Sequence, residues 1–159
     1  MLDDGQDIKA LRLLMARGRA TWAEVATLLG MSAPAAADRV RRLEERGVIR
    51  GYAALVDAES IGLALVAFVA VTLERPEHRA AFLGWVESTA AVQECHHVAG
   101  DYDYLLKVRC VGTHALDALL SEGIKGLPGI ARTRTTIVLR TQKETPLLPL
   151  PGSGGGEEG

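Results

Sequence analysis

The sequence predicts an α+β chain in two parts: a bundle of three short helices, then an antiparallel sheet with helices on one face. Three observations predict it. Between Thr21 and Gly47, two helix-start signals alternate with two glycine stops. From Leu63 onward, apolar runs of strand length alternate with helical spacings in the order strand, helix, strand, strand, helix, strand. Beyond Leu147 the composition turns to proline, glycine and glutamate, which suits a flexible tail.

In the first part, Ile8, Leu11, Leu14 and Met15 keep helical spacing and Gly18 closes the first helix. Thr21 with Glu24 three residues later makes a capping box. Val25, Leu28 and Leu29 follow on a core-facing stripe, and Gly30 suits the left-handed residue that ends a helix. Ser32 is a second N-cap, with Pro34 in the first turn, where its missing N–H costs little. Ala36, Val40 and Leu43 form the buried stripe of this third helix, and Gly47 stops it. Val48, Ile49 and Tyr52 read as the start of a strand.

Two helices joined by a three-residue turn form a helix-turn-helix, and the second carries arginines. Arg39, Arg42 and Arg46 share one face, Arg41 lies beside it, and Arg50 extends the basic patch. A guanidinium bridges the acceptors of guanine and also neutralises phosphates, so this arrangement points to the major groove of double-stranded DNA. The plainer alternative is a solvated helix laced by Asp38–Arg42 and Arg41–Glu45 pairs.

Composition bounds the function. The 159 residues fit one or two small domains and carry a net charge of −2. Up to Ser60, nine Lys/Arg balance nine Asp/Glu, so DNA affinity must come from local placement rather than general coating. A signal peptide and a membrane-spanning run are both missing, since the apolar run Leu63–Val71 is only strand length; a cytoplasmic protein is expected. Cys95 and Cys110 lack zinc-ligand spacing and read as reduced thiols.

In the second part, Leu63–Glu74, Val92–Val98, Tyr102–Cys110 and Ile130–Arg140 read as strands, with helices over Glu77–Ser88 and His114–Lys125. That order is the ferredoxin-like βαββαβ pattern. Thr133, Thr135, Ile137 and Leu139 share one side of the last strand, and Arg134, Thr136, Val138 and Arg140 share the other. Both faces of several strands carry apolar groups, so the sheet is expected to stack against a second copy in a homodimer or larger assembly.

Gly100-Asp101-Tyr102-Asp103 lies between two strands. It reads as an ordinary hairpin, or as a small-ligand loop in which Gly100, Asp101 and Asp103 meet an amino acid's charged ends, with Thr133 and Thr135 nearby. Neither a metal, nor a cofactor, nor a catalytic set is expected. Cys95 and His97 point away from His96 in a strand, and Asp101 and Asp103 have no nucleophile partner. Trp22 and Trp85 read as packing residues.

Four segments in succession resemble the Lrp/AsnC family of prokaryotic transcription regulators, also called feast/famine regulators. They are MARGRATWAEVATLLGMS, DRVRRLEERGVIRGYAALVD, VQECHHVAGDYDYLLKVR and LPGIARTRTTIVL. The resemblance implies an N-terminal winged helix-turn-helix domain over 1–57, a ferredoxin-like (RAM) effector-sensing and oligomerisation domain over 58–148, and a disordered tail over 149–159. It makes Ser32–Arg46 the recognition helix, placing Ser32, Ala33, Arg39, Arg41, Arg42, Arg46 and Arg50 at a pseudo-palindromic operator. It makes Ala99, Gly100, Asp101, Tyr102 and Asp103 part of an effector cleft between subunits, with an amino acid as effector and dimers that assemble further, up to octamers. Two other readings share the layout: an architectural, nucleoid-type DNA-binding protein without effector response, and a siroheme decarboxylase-like enzyme using His96 and His97.

Overall fold

Helix α1 (Gly5–Ala16) forms over the apolar spacing of Ile8 to Met15, and α2 (Trp22–Leu29) and α3 (Ala33–Glu45) form where the caps predict them. The computed structural model describes residues 5–151. Thr21 Oγ1 accepts the Glu24 N–H at 3.3 Å while Glu24 Oε2 accepts the Thr21 N–H at 2.7 Å, so two donors at the start of α2 are satisfied reciprocally. Gly30 closes α2 at φ 65°, which only glycine adopts without strain. Ser32 caps α3 by accepting the Ala35 N–H at 3.4 Å.

Ala10, Leu14, Val25, Ala26, Leu29, Ala36 and Val40 make the core of this unit. One charged pair joins the first helix to the third. Asp7 is buried, and its carboxylate takes the Arg39 guanidinium at 2.5 Å. The expected strand at Val48–Tyr52 does not form. The Val48 and Ile49 N–H groups instead turn back to the Leu43 carbonyl at 2.9 and 3.1 Å, closing α3. The chain from 50 to 57 has no regular secondary structure and no strand partner among the described residues. A strand needs a neighbour to satisfy its backbone groups, and this unit supplies none.

The second unit spans Val56–Lys143. It holds β1 (Leu65–Leu73), α4 (Arg79–Ser88), β2 (Val92–His97), β3 (Tyr104–Cys110), α5 (Thr113–Ala118) and β4 (Ile130–Ile137). All four strands form one antiparallel sheet in the order β2-β3-β1-β4, with β1 in the middle. A 3₁₀ turn, Pro76–His78, leads into α4, and a wide π turn, Leu119–Ile124, follows α5. In that turn the bare Cα of Gly123 sits against Trp85, where a methyl would lie 2.9 Å from the indole. β4 ends at Ile137, three residues before the expected limit, and Leu139 is 98% exposed.

Alternation along β1 divides the sheet into two faces. Ala67, Val69 and Val71 are wholly buried under the helices with Leu106, Val108, Tyr104, Phe82, Leu116 and Ile124. The Phe82 and Tyr104 rings lie 4.9 Å apart. Val66, Phe68 and Ala70 point to the other face, where Phe68 stays 37% exposed. Trp85 packs against the helix-side core, whereas Trp22 is 47% exposed and does not pack as expected.

Residues 144–151 group with the first unit, although the sequence assigns 144–148 to the second domain and 149–151 to the tail. Pro146, Leu148 and Leu150 share an apolar groove with Leu11, Leu14, Met15 and Ile49, and Arg12 donates to the Pro151 carbonyl at 3.1 Å. The prolines and leucines there find an apolar surface to cover, which a glycine run lacks. The rest of the expected disordered tail, 152–159, lies outside the described residues.

Two variants check these arguments. Asp7→Ala removes the carboxylate that neutralises half-buried Arg39, so stability should fall by about 1–3 kcal/mol in urea unfolding. At Gly129, φ is 75° and a Cβ would lie 2.0 Å from the His78 ring. Gly129→Ala should therefore cost about 1–3 kcal/mol in the same measurement, and adding His78→Ala should recover only part, the positive φ remaining.

Candidate nucleic-acid interface and effector groove

The α3 arginines have distinct surroundings. Arg39 faces α1 through Asp7 and anchors the helix rather than presenting a free reading head, contrary to the sequence expectation. Arg41 lies between Asp38 and Glu45, the latter at 2.6 Å. Arg42 reaches Asp38 at 2.9 Å and keeps 62% of its side chain exposed. The two guanidiniums hold the Asp38 carboxyl below its usual range, Arg41 through a hydrogen bond and Arg42 through its charge. Such exposed pairs hold little energy, so a competing phosphate or base can take over the arginine.

Arg46 is the C-cap of α3 and is exposed; Arg50 follows, exposed in the irregular chain beyond the helix. Ser32 is exposed, while Ala33 is half-buried and packs against the core of the unit. Tyr52 donates its hydroxyl to Glu44 Oε1 at 2.8 Å. Burial, and then that carboxylate, push its phenol up to about 12. Glu24 sits lower than an ordinary carboxyl because it accepts the Thr21 N–H and a hydrogen bond from Arg17. These contacts stiffen both sides of α3 and leave Arg42, Arg46 and Arg50 toward solvent.

In the second unit, the loop after β2 is tied down by Asp103. Its N–H donates to the Val71 carbonyl at 3.0 Å, its carbonyl accepts the Val98 N–H at 2.9 Å, and its carboxylate accepts the Leu73 N–H at 2.8 Å. Asp103 thus fastens the loop, with one carboxylate oxygen engaged by the Leu73 N–H. Gly100 holds φ 156°, and Ala99, Gly100 and Asp101 are exposed.

Asp101 and Tyr102 line a groove with Ala70, Thr72, Arg132 and Arg134. Arg132 donates to the Asp101 carbonyl at 3.0 Å, fixing the loop against β4. The Thr72 hydroxyl is buried there without a hydrogen-bond partner. Thr133 and Thr135 pair in register with Val71 and Val69, so they lie on the helix-covered face, away from this groove. The residues that sequence reasoning missed are therefore Arg132, Arg134 and Thr72. The parity of the last strand already separates Arg134 from Thr133 and Thr135; finding Thr72 needs the strand order.

His96 and Glu94 lie 3.1 Å apart, and Lys107 donates to Glu94 at 3.1 Å, so the Glu94 carboxyl is lowered, by His96 first and then Lys107. Cys95 and His97 pair with Leu106 and Tyr104 on the helix side, while His96 pairs with Leu105 on the other. Among the described residues no helix is long and apolar enough to cross a membrane.

Comparison with known proteins agrees with this geometry. A family profile for the Lrp/AsnC ligand-binding domain matches residues 66–148, and one for a winged helix-turn-helix DNA-binding unit matches 3–50. The chain is 37% identical over 149 residues to the leucine-responsive regulatory protein of Haemophilus influenzae, covering 92% of this chain and 90% of that one. It is 38% identical over 144 residues to the same-named protein of Escherichia coli K12, covering 89% and 88%. Among solved structures, a transcriptional regulator of Neisseria meningitidis in complex with L-methionine superposes with a TM-score of 0.89 at 31% identity, over 93% of this chain and 97% of that one. Escherichia coli AsnC superposes at 0.86 with 28% identity, over 94% and 100%. With a capped helix-turn-helix, a four-stranded ligand-binding unit and these relatives along nearly its whole length, the chain belongs to the Lrp/AsnC family of DNA-binding transcriptional regulators.

Proposed function

We propose that this regulator reads a pseudo-palindromic operator through α3 and is modulated by an amino acid held beside Asp101. The observation that carries the DNA half is the exposed Arg42 and Arg46 at the end of α3, with exposed Arg50 just beyond it, on a helix fixed at its N-cap, its C-terminus and its contact with α1. Arg41 and Ser32 flank these arginines and contribute phosphate contacts. Arg39 acts indirectly, by setting the pose of α3.

The effector half rests on the groove of Asp101, Tyr102, Thr72, Arg132 and Arg134. A zwitterion needs an acidic group for its ammonium and cationic or hydroxyl donors for its carboxylate, and this groove presents both. Two relatives with bound L-methionine support the class: the Neisseria meningitidis regulator and a feast or famine regulatory protein of Mycobacterium tuberculosis, the latter 40% identical with a TM-score of 0.84.

The groove opens on the uncovered sheet face, where Phe68 is exposed. A second copy stacked there would cover Phe68 and wall the groove, which supports a homodimer with the effector between subunits. Paired recognition helices then meet half-sites about one helical turn apart. Binding shifts the assembly or the helix spacing by as much as the effector's differential affinity allows. A DNA-binding regulator of this kind works in the cytoplasm.

Gel shift on the protein's own upstream region, at fixed salt and with each of the twenty amino acids, tests the reading. Retardation altered by one or a few of them is the expected result; retardation indifferent to all would indicate an architectural role. Arg46→Ala and Arg50→Ala should each weaken operator binding with the fold intact. A lost base contact costs about 1–3 kcal/mol on the specific site alone, whereas a lost phosphate contact weakens all sequences and lowers the salt slope by about 1.

A further inference from the structure

The groove beside Asp101 has a charge balance that sorts among amino acids. Building on its reading as the effector pocket, we propose that its ligand is a dicarboxylic α-amino acid rather than a neutral one.

Arg132 and Arg134 stand two residues apart on β4, on the face they share with their register partners Thr72 and Ala70. Arg132 already donates one N–H to the Asp101 carbonyl. The Arg134 guanidinium has neither a hydrogen bond nor an ion pair among the described residues, and the Asp101 carboxylate has none either. Thr72 adds a buried hydroxyl whose hydrogen-bonding capacity is unused. Two guanidiniums against one carboxylate leave the groove with one surplus positive charge.

A neutral amino acid is a zwitterion and leaves that surplus in place. A dicarboxylic amino acid carries one net negative charge at neutral pH and cancels it. Its ammonium faces Asp101, one carboxylate meets the Thr72 hydroxyl and Arg132, and the other meets Arg134. Guanidinium–carboxylate pairing is among the strongest polar contacts available, and the planar fork engages both oxygens at once. The lining argues the same way by what it holds. Within one protomer, Ala70, Thr72, Asp101, Tyr102, Arg132 and Arg134 include no branched aliphatic or thioether side chain to bury a leucine or methionine tail.

Isothermal titration calorimetry of the full-length protein with L-glutamate, L-aspartate, L-glutamine, L-asparagine, L-leucine and L-methionine, at one pH and salt, decides the matter. An acid should bind about tenfold or more tightly than its own amide. Arg134→Gln should erase that preference, and Thr72→Val should weaken every ligand that binds, with unchanged circular dichroism in both variants. An amide or aliphatic amino acid binding as tightly as the acids would overturn the dicarboxylic assignment while leaving an amino-acid pocket standing. Full preference retained in Arg134→Gln would also overturn it. Absence of binding by all six would remove the pocket itself along with the assignment.

Discussion

The two-residue alternation of β1, held between β3 and β4, governs the ligand-binding unit. Because both of its edges are hydrogen-bonded, its register cannot slip without exposing Ala67, Val69 and Val71. That register assigns every neighbouring side chain to a face. It sends Tyr104, Leu106 and Val108 under the helices, and it sends Thr72, Arg132 and Arg134 to the open side beside Asp101. The groove is thus a by-product of burying three small apolar residues, and its chemistry is set by which β4 residues fall on even positions. Asp103 completes the constraint: three hydrogen bonds to β1 and the end of β2 hold the loop where Asp101 can meet those arginines.

In the DNA-binding unit, charge is divided by depth. Arg39 is drawn inward by a buried carboxylate and serves the fold. Arg41 and Arg42 share Asp38 at the surface, where ion pairs exchange readily. Arg46 and Arg50 lie beyond the last turn. One arginine-rich helix therefore combines a rigid anchor with surface ion pairs that exchange readily, and these roles cannot be told from spacing alone.

Much of this was legible in the residues. Thr21 with Glu24, Gly30, Ser32 and Gly47 act locally, and local chemistry placed α2 and α3 to within a residue or two. The strand–helix order fixed the sheet because each apolar run has a single period. Long-range pairing was less visible. Arg39 looked like its neighbours because its partner, Asp7, lies thirty-two positions away. Val48 and Ile49 have strand propensity, but a strand exists only with a neighbour. Thr133 and Thr135 are chemically apt for a ligand and lie on the opposite face from Arg132 and Arg134, a matter decided by register against β1. The lesson for the groove is that parity outranks residue type.

The return of residues 144–151 to the first unit makes the DNA-binding unit discontinuous along the chain. Two polypeptide crossings, near 55 and near 143, join it to the rest. A single cut in either one does not liberate it, and a fragment ending at Leu55 would lack Pro146, Leu148 and Leu150, which line one apolar groove with Leu11, Leu14, Met15 and Ile49. Residues 144–151 are thereby part of the helical unit, so an insertion placed among them acts on its helices.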